Sequence, residues 1–197
     1  MASAGDISVS RSKCAVGCLK LTVDWQSVVQ EYGHLVWRTA YRLLANHADS
    51  ADCFQETFLA ALELSRRQPV RNLSGLLVRL ATTRAIDRLR QRGRQEHPAA
   101  EALTHASTAH EVDPHEEAQS QELVAQLREA IGRLPPQEAK VFCLRYLSEM
   151  SYRQIARELS IGTSIVGVSL HRAKAKLRAA LGATQADRDE VHHERTT

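Results

Sequence analysis

Aromatic residues make up only 5% of the 197-residue chain, which holds 9 glycines and 5 prolines. Sandwiches and barrels draw on β-branched and aromatic strands separated by glycine-rich turns, so this composition argues against them and for helices. Cysteine is also scarce. Cys14, Cys18, Cys53 and Cys143 are irregularly spaced, and the last two lie in apolar helical patterns. That arrangement fits reduced thiols and a cytoplasmic protein, not a disulfide framework. No stretch approaches the roughly 18 apolar residues of a membrane span. Lys20 interrupts the run from Ala15 to Val23, and Asp6 precedes it. The expectation is no targeting segment and no membrane insertion. A glycine-rich phosphate loop, a nucleophile elbow and a metalloprotease helix are all missing, so an enzyme is the least favoured class. Cys14 and Cys18 lack a third and fourth ligand, and His97, His105, His110 and His115 are not spaced to share a helix face. No metal, cofactor or catalytic residue is expected.

What the chain does have is segregated charge. The net charge of +3 conceals three blocks. Between Arg66 and Arg94 there are nine arginines and one acid, Asp87. A solvated helix face normally mixes signs to gain pairs three and four residues apart. A near-uniform run of arginine, whose planar fork grips phosphate through two bonds, seeks a polyanion. From Gln95 to Glu122 there is no cation and there are seven acids, which reads as an acidic flexible linker. From Leu123 the balance turns positive again, ending in Arg172, Lys174, Lys176 and Arg178.

The elements follow from periodicity and capping. Asp24 caps a helix whose apolar positions, Trp25, Val28, Val29, Tyr32, Val36, Ala40, Leu43 and Leu44, step by three and four, ending near Asn46. Asp49 or Ser50 starts a second helix striped by Phe54, Phe58, Ala61 and Leu62, which must stop before Pro69. Ser74 caps a third, with Leu77, Leu80, Ala81, Ile86 and Leu89 on one side and Gly93 as its stop. Beyond the linker, Asp113 and Pro114 open a fourth helix, Pro135 and Pro136 break and restart the chain, and Ser151 with Gln154 forms a capping box. A break over Ile161 to Thr163 precedes a last helix carrying Val166, Leu170, Ala173 and Leu177. The fold class expected is all-α: two small helical domains joined by the acidic linker. The boundaries are a disordered extension over 1–22, a first domain over 23–94, the linker over 95–112, a second domain over 113–182 and a disordered tail over 183–197.

Ala156 midway along one short helix, Ile161 in the connection and Val166 in the next helix have the spacing of a helix-turn-helix. That motif lays its second helix in the DNA major groove. The surrounding sequence is more specific. Leu134-Pro-Pro-Gln-Glu138, Val141-Phe-Cys-Leu-Arg-Tyr-Leu147, Met150-Ser-Tyr-Arg-Gln-Ile-Ala-Arg-Glu-Leu-Ser-Ile161 and Leu170-His-Arg-Ala-Lys-Ala-Lys-Leu-Arg178 closely resemble region 4 of bacterial extracytoplasmic-function sigma factors. Tyr41-Arg-Leu-Leu-Ala-Asn46, Ala48-Asp-Ser-Ala-Asp-Cys-Phe-Gln-Glu-Thr-Phe-Leu59 and Arg84-Ala-Ile-Asp-Arg-Leu-Arg90 resemble region 2 of the same sigma-70 family.

The resemblance implies a protein that binds the RNA polymerase core, directs it to promoter DNA and is held by an anti-sigma factor. It implies polymerase contacts through Asp49, Asp52, Gln55 and Glu56. It places Arg67, Arg71 and Asn72 at the loop that captures a base of the minus-10 element, and Arg79, Arg84, Arg88 and Arg90 along the opening strands. It assigns the minus-35 element to Arg153, Arg157, Thr163, Ser164, Ile165, Gly167, Val168, His171, Arg172 and Lys174. Two positions depart from the family. Ile165-Val-Gly-Val-Ser169 stands where members usually carry Thr-Val-Lys-Ser-Arg, and Gly75 stands where they usually have tryptophan. Either the minus-35 contact is weak, or Arg153, Arg157, Arg172 and Lys174 carry it through the backbone. The alternative reading is a stand-alone helix-turn-helix regulator that binds duplex DNA, with the first domain as a dimerisation or effector bundle.

Overall fold

The computed structural model describes residues 24–95 and 114–194, with side chains over 24–94 and 120–182. Seven helices make up its regular structure: α1 (Trp25–Leu44), α2 (His47–Arg67), α3 (Leu73–Gln95), α4 (Pro114–Arg133), α5 (Pro136–Tyr146), α6 (Tyr152–Leu159) and α7 (Thr163–Glu194). The all-α expectation holds across the described residues. The extension over 1–22 with Cys14 and Cys18, residues 96–112 of the linker with His97, His105 and His110, and the Asp113 cap lie outside them.

Capping chemistry sets several of the helix ends. Asp24 accepts from the Gln26 amide at 3.1 Å and the Ser27 hydroxyl at 2.6 Å, and Ala45 closes α1 in the left-handed region. Ser151 and Gln154 form the reciprocal box that starts α6, and Ser160 ends that helix left-handed. Two starts differ from the sequence reading. Asn46, not Asp49 or Ser50, caps α2, because its side chain accepts from the Asp49 amide at 3.0 Å. Asn72, not Ser74, accepts from the Gly75 amide at 3.1 Å and starts α3. Helix α3 also continues past Gly93, where Arg92 anchors the last turn by donating to the Leu44 carbonyl at 3.1 Å and pairing with Asp49. Helix α7 runs on to Glu194, through most of the tail expected to be disordered. That tail holds no proline, and no glycine follows Gly182, so nothing in it breaks a helix.

Helices α1 to α3 form one three-helix unit whose own core contains Val28, Val36, Phe58, Ala61, Leu76, Leu77 and Ala81. The second unit does not stand apart from it. Ala40, Leu43, Leu44, Cys53, Ala85 and Ile86 of the first unit share a buried cluster with Ala130, Ile131, Leu134, Ala139, Cys143, Ala173 and Leu177 of the second. Val78 of α3 enters a third cluster with Val141, Leu144, Ile155, Ala156, Val166 and Leu170. Helix α3 is therefore the shared wall of the fold, buried on one side by α1 and α2 and on another by α4, α5 and α6.

Arginines tie the seam by donating to carbonyls at helix ends, where the helix dipole and unpaired acceptors favour a cation. Arg90 reaches Leu134 O at 2.7 Å and Gly132 O at 3.3 Å, and Arg42 reaches Leu147 O at 2.9 Å. Arg128 closes the set on Arg42 O at 3.1 Å.

Candidate nucleic-acid interface

Three surfaces hold the residues singled out in the sequence. The first is the α2–α3 face. Asp49, Asp52 and Glu56 project from α2 toward α3, where Arg88 meets all three, at 2.7 Å from Glu56 and 3.5 Å from Asp49 and Asp52. Arg84 adds a 3.4 Å pair to Glu56, and Arg92 pairs with Asp49. Three of the candidate polymerase contacts, Asp49, Asp52 and Glu56, and two of the candidate strand-tracking arginines, Arg84 and Arg88, thus form one partly exposed ion-pair network. Gln55 and Asp52 still face solvent beside it, as does Leu59 one turn on.

The second surface is the loop between α2 and α3. Arg67, Arg71 and Asn72 are all exposed there. The Asn72 amide donates to Glu158 Oε1 of α6 at 2.6 Å. Gly75 makes this contact possible. It is buried, and a Cβ at that position would overlap both the Asn72 amide and the Glu158 carboxylate. Sequence reasoning did not find Glu158. The available signal was a glycine in the first turn of a helix, which marks a close approach more often than a structural accident. Arg79 lies half-buried on the same helix with its Nε enclosed and without a partner.

The third surface belongs to α6 and α7. After the Ser160 turn, Val166, Ser169 and Leu170 point into the core, while Thr163, Ser164, Ile165, Val168, His171 and Arg172 form an exposed stripe. Arg153 and Arg157 are exposed on α6. Gly167 lies close to the Tyr152 ring, 3.9 Å from where its Cβ would be. The Lys174 ammonium sits 5.1 Å from the centre of the Tyr146 ring, and the Arg145 guanidinium 5.8 Å from that of Tyr152. These cation–π contacts hold two charges at the edge of the stripe.

Between α1 and the end of α5 lies a polar cavity of about 110 Å³ lined by Arg38, Arg42, Ser148 and Glu149 among others. That is below the roughly 300–1,000 Å³ of typical small-molecule sites. No group of His, Cys, Asp and Glu among the described residues is placed to hold a metal ion, and none of the described helices is long and apolar enough to cross a membrane.

Comparison with known proteins identifies the two units. Residues 28–95 match the family described as Sigma-70 region 2, and residues 125–177 match Sigma-70, region 4. The chain is 30% identical over 162 residues to the ECF RNA polymerase sigma factor SigW of Bacillus subtilis, covering 78% of this chain and 87% of SigW. It is 29% identical over 155 residues to the ECF RNA polymerase sigma factor SigE of Mycolicibacterium smegmatis, covering 79% of this chain and 60% of that longer relative. Two solved structures share the fold at a TM-score of 0.52. CnrH in complex with the cytosolic domain of CnrY is 22% identical, with 81% of this chain and 88% of that one covered. The sigma factor RpoE in complex with the anti-sigma factor NepR from Bartonella quintana is 18% identical, with coverage of 81% and 97%. With regions 2 and 4 matched in order and SigW aligned over most of its length, this chain belongs to the sigma-70 family, among the extracytoplasmic-function sigma factors.

Proposed function

We propose that the protein binds the core of a bacterial RNA polymerase, selects promoter DNA and assists its opening, with an anti-sigma factor as its regulator and no reaction of its own. The exposed stripe of α7 carries this reading. It follows a tight turn, is flanked by Arg153, Arg157 and Arg172, and lies in a chain whose other unit presents an arginine-rich helix. Asp49, Asp52, Gln55 and Glu56 would meet the polymerase. Arg67, Arg71, Asn72, Arg79, Arg84, Arg88 and Arg90 would engage the minus-10 element, and the stripe with Lys174 would engage the minus-35 element. A base leaving the stack costs a few kcal/mol, which contacts at the Asn72 loop would offset. Arginines along α3 would attract the strands through phosphate.

In the closed arrangement Asn72 is bonded to Glu158 and Arg90 to the end of α4. Engaging a melted strand with either residue requires these contacts to be exchanged for nucleic acid. Anti-sigma factors are part of the proposal because the RpoE structure that shares this fold holds one, NepR.

Run-off transcription from a pool of promoters by bacterial core polymerase, with and without the protein, tests the reading. New start sites that require both components are expected. Tight, sequence-selective duplex binding by the protein alone, with no new transcripts, would make it a stand-alone regulator instead.

A further inference from the structure

Helix α7 displays two large aliphatic side chains where a groove-reading helix ordinarily displays polar ones. Ile165 is 46% exposed and Val168 is 50% exposed. They lie three residues apart on the same stripe, while Val166 between them is fully buried. Neither belongs to a buried core cluster. Both are β-branched and stiff at χ1, so little side-chain freedom is lost when they are pressed against a surface.

The flanks of this pair indicate what covers it. Thr163 and Ser164 stand at the N-terminal tip of the stripe, His171 and Arg172 stand one turn beyond Val168, and Arg153 and Arg157 are exposed on α6. An aliphatic patch bordered by hydroxyls and cations complements a polyanion with an apolar centre. From Thr163 to Ser169 the chain carries no arginine, lysine, asparagine or glutamine, so this stretch has none of the side chains that bond guanine or adenine through two contacts. In the major groove, the one apolar group among the base edges is the C5 methyl of thymine.

We propose that Ile165 and Val168 read thymine methyl groups, so that the positions of the upstream promoter element facing these two side chains are specified by thymines. The inference rests on the reading of α7 as the minus-35 helix. Each methyl enclosed by an aliphatic side chain contributes about fourfold in affinity. The cations around the patch would help fix the register through phosphate.

The experiment uses the complete holoenzyme, reconstituted from the full-length protein and core polymerase. Upstream elements are selected from duplexes randomised in the minus-35 window, and each thymine of the selected element is then replaced by deoxyuridine, which removes only the methyl. At one or two positions the uracil duplex is expected to bind about fourfold more weakly. In the double variant Ile165→Ala, Val168→Ala, the thymine and uracil duplexes should bind alike. Both side chains are exposed, so the variant should melt at the wild-type temperature, which circular dichroism checks. Equal binding of thymine and uracil duplexes by the wild type, or a selected element with no A·T pair in this window, would overturn the proposal. A holoenzyme that initiates from the pool but selects no upstream element would sink the minus-35 reading itself, and this inference with it.

Discussion

Asn72 bonds two halves of the molecule at once: its Oδ1 accepts from the Gly75 amide at 3.1 Å to start α3, and its Nδ2 donates to Glu158 of α6 at 2.6 Å. The residue proposed for the minus-10 element is therefore held by the unit proposed for the minus-35 element.

Removing either side of this clasp should release Asn72 from α6. Glu158→Ala deletes the acceptor, and Gly75→Ala introduces a Cβ where the Asn72 amide and the Glu158 carboxylate now lie. Each is expected to weaken the seam by about 1 kcal/mol. The alanine at 75 recovers up to about 1 kcal/mol of helix propensity within α3. The two changes remove one bond, so their effects should be strongly non-additive in a double-mutant cycle read by urea unfolding. Binding of a single-stranded minus-10 oligonucleotide should rise in both variants, and additive effects with unchanged binding would contradict the clasp.

Arg88 neutralises three carboxylates, so Arg88→Ala should cost about 1–2 kcal/mol, a loss that shrinks in 1 M salt as the remaining like charges are screened. Arg88→Lys should recover only part of it, because a single ammonium cannot span Glu56, Asp49 and Asp52 as the guanidinium does. Denaturant titrations at two salt concentrations measure both.

Ile131 lies in the cluster shared by the two units. Truncation by Ile131→Ala should cost about 2–5 kcal/mol through lost burial and the cavity left behind. The expected thermal unfolding is one transition that shifts as a whole. A second transition left at the wild-type temperature would show that the first unit melts independently of this cluster.

Burial pushes the Cys53 thiol up to about 11 and the Cys143 thiol up to about 12. Each is therefore protonated across the neutral range, and the thiolate, which is the reactive form, appears only at strongly alkaline pH. In the folded protein at pH 8 both should resist a thiol reagent, becoming labelled after unfolding in denaturant. Mass spectrometry of the labelled peptides distinguishes them from Cys14 and Cys18. Because both folded pKa values are raised, these thiols favour the native state below the ordinary thiol range, and that contribution is lost as the pH rises through 11 and 12.

How much of this was legible depends on how far apart in sequence the interacting groups lie. The Ser151–Gln154 box and the Pro135–Pro136 break are local, and both read directly. The sequence puts the start of α2 at Asp49 or Ser50, and Asn46, the actual cap, at the end of α1. Composition could not rank them, because the choice rests on which side chain reaches an amide three residues ahead. The arginine block was visible as charge, but its partners are not: Arg84 and Arg88 meet Glu56 about thirty residues away, and Arg90 meets Leu134 after 44. The shared core was hidden for the same reason. Val78 and Ile86 have the spacing of any buried stripe, and nothing in their periodicity says that their clusters take in α5 and α4 in addition to the helices of the first unit. The exposed face of α7 was legible, since its buried and solvent positions alternate with the helical repeat.

Helices α3 and α7 differ in how far their exposed side chains are tied to the fold. Arg84, Arg88, Arg90 and Arg92 each hold an acid or a helix-end carbonyl of the same chain, so a change that retunes one of them toward DNA also loosens the fold. Thr163, Ser164, Ile165, Val168, His171 and Arg172 carry no such obligation to the core. On the proposed roles, substitutions along the α7 stripe would change the surface offered to DNA at little cost to stability, while changes to the α3 arginines would disturb the fold as well.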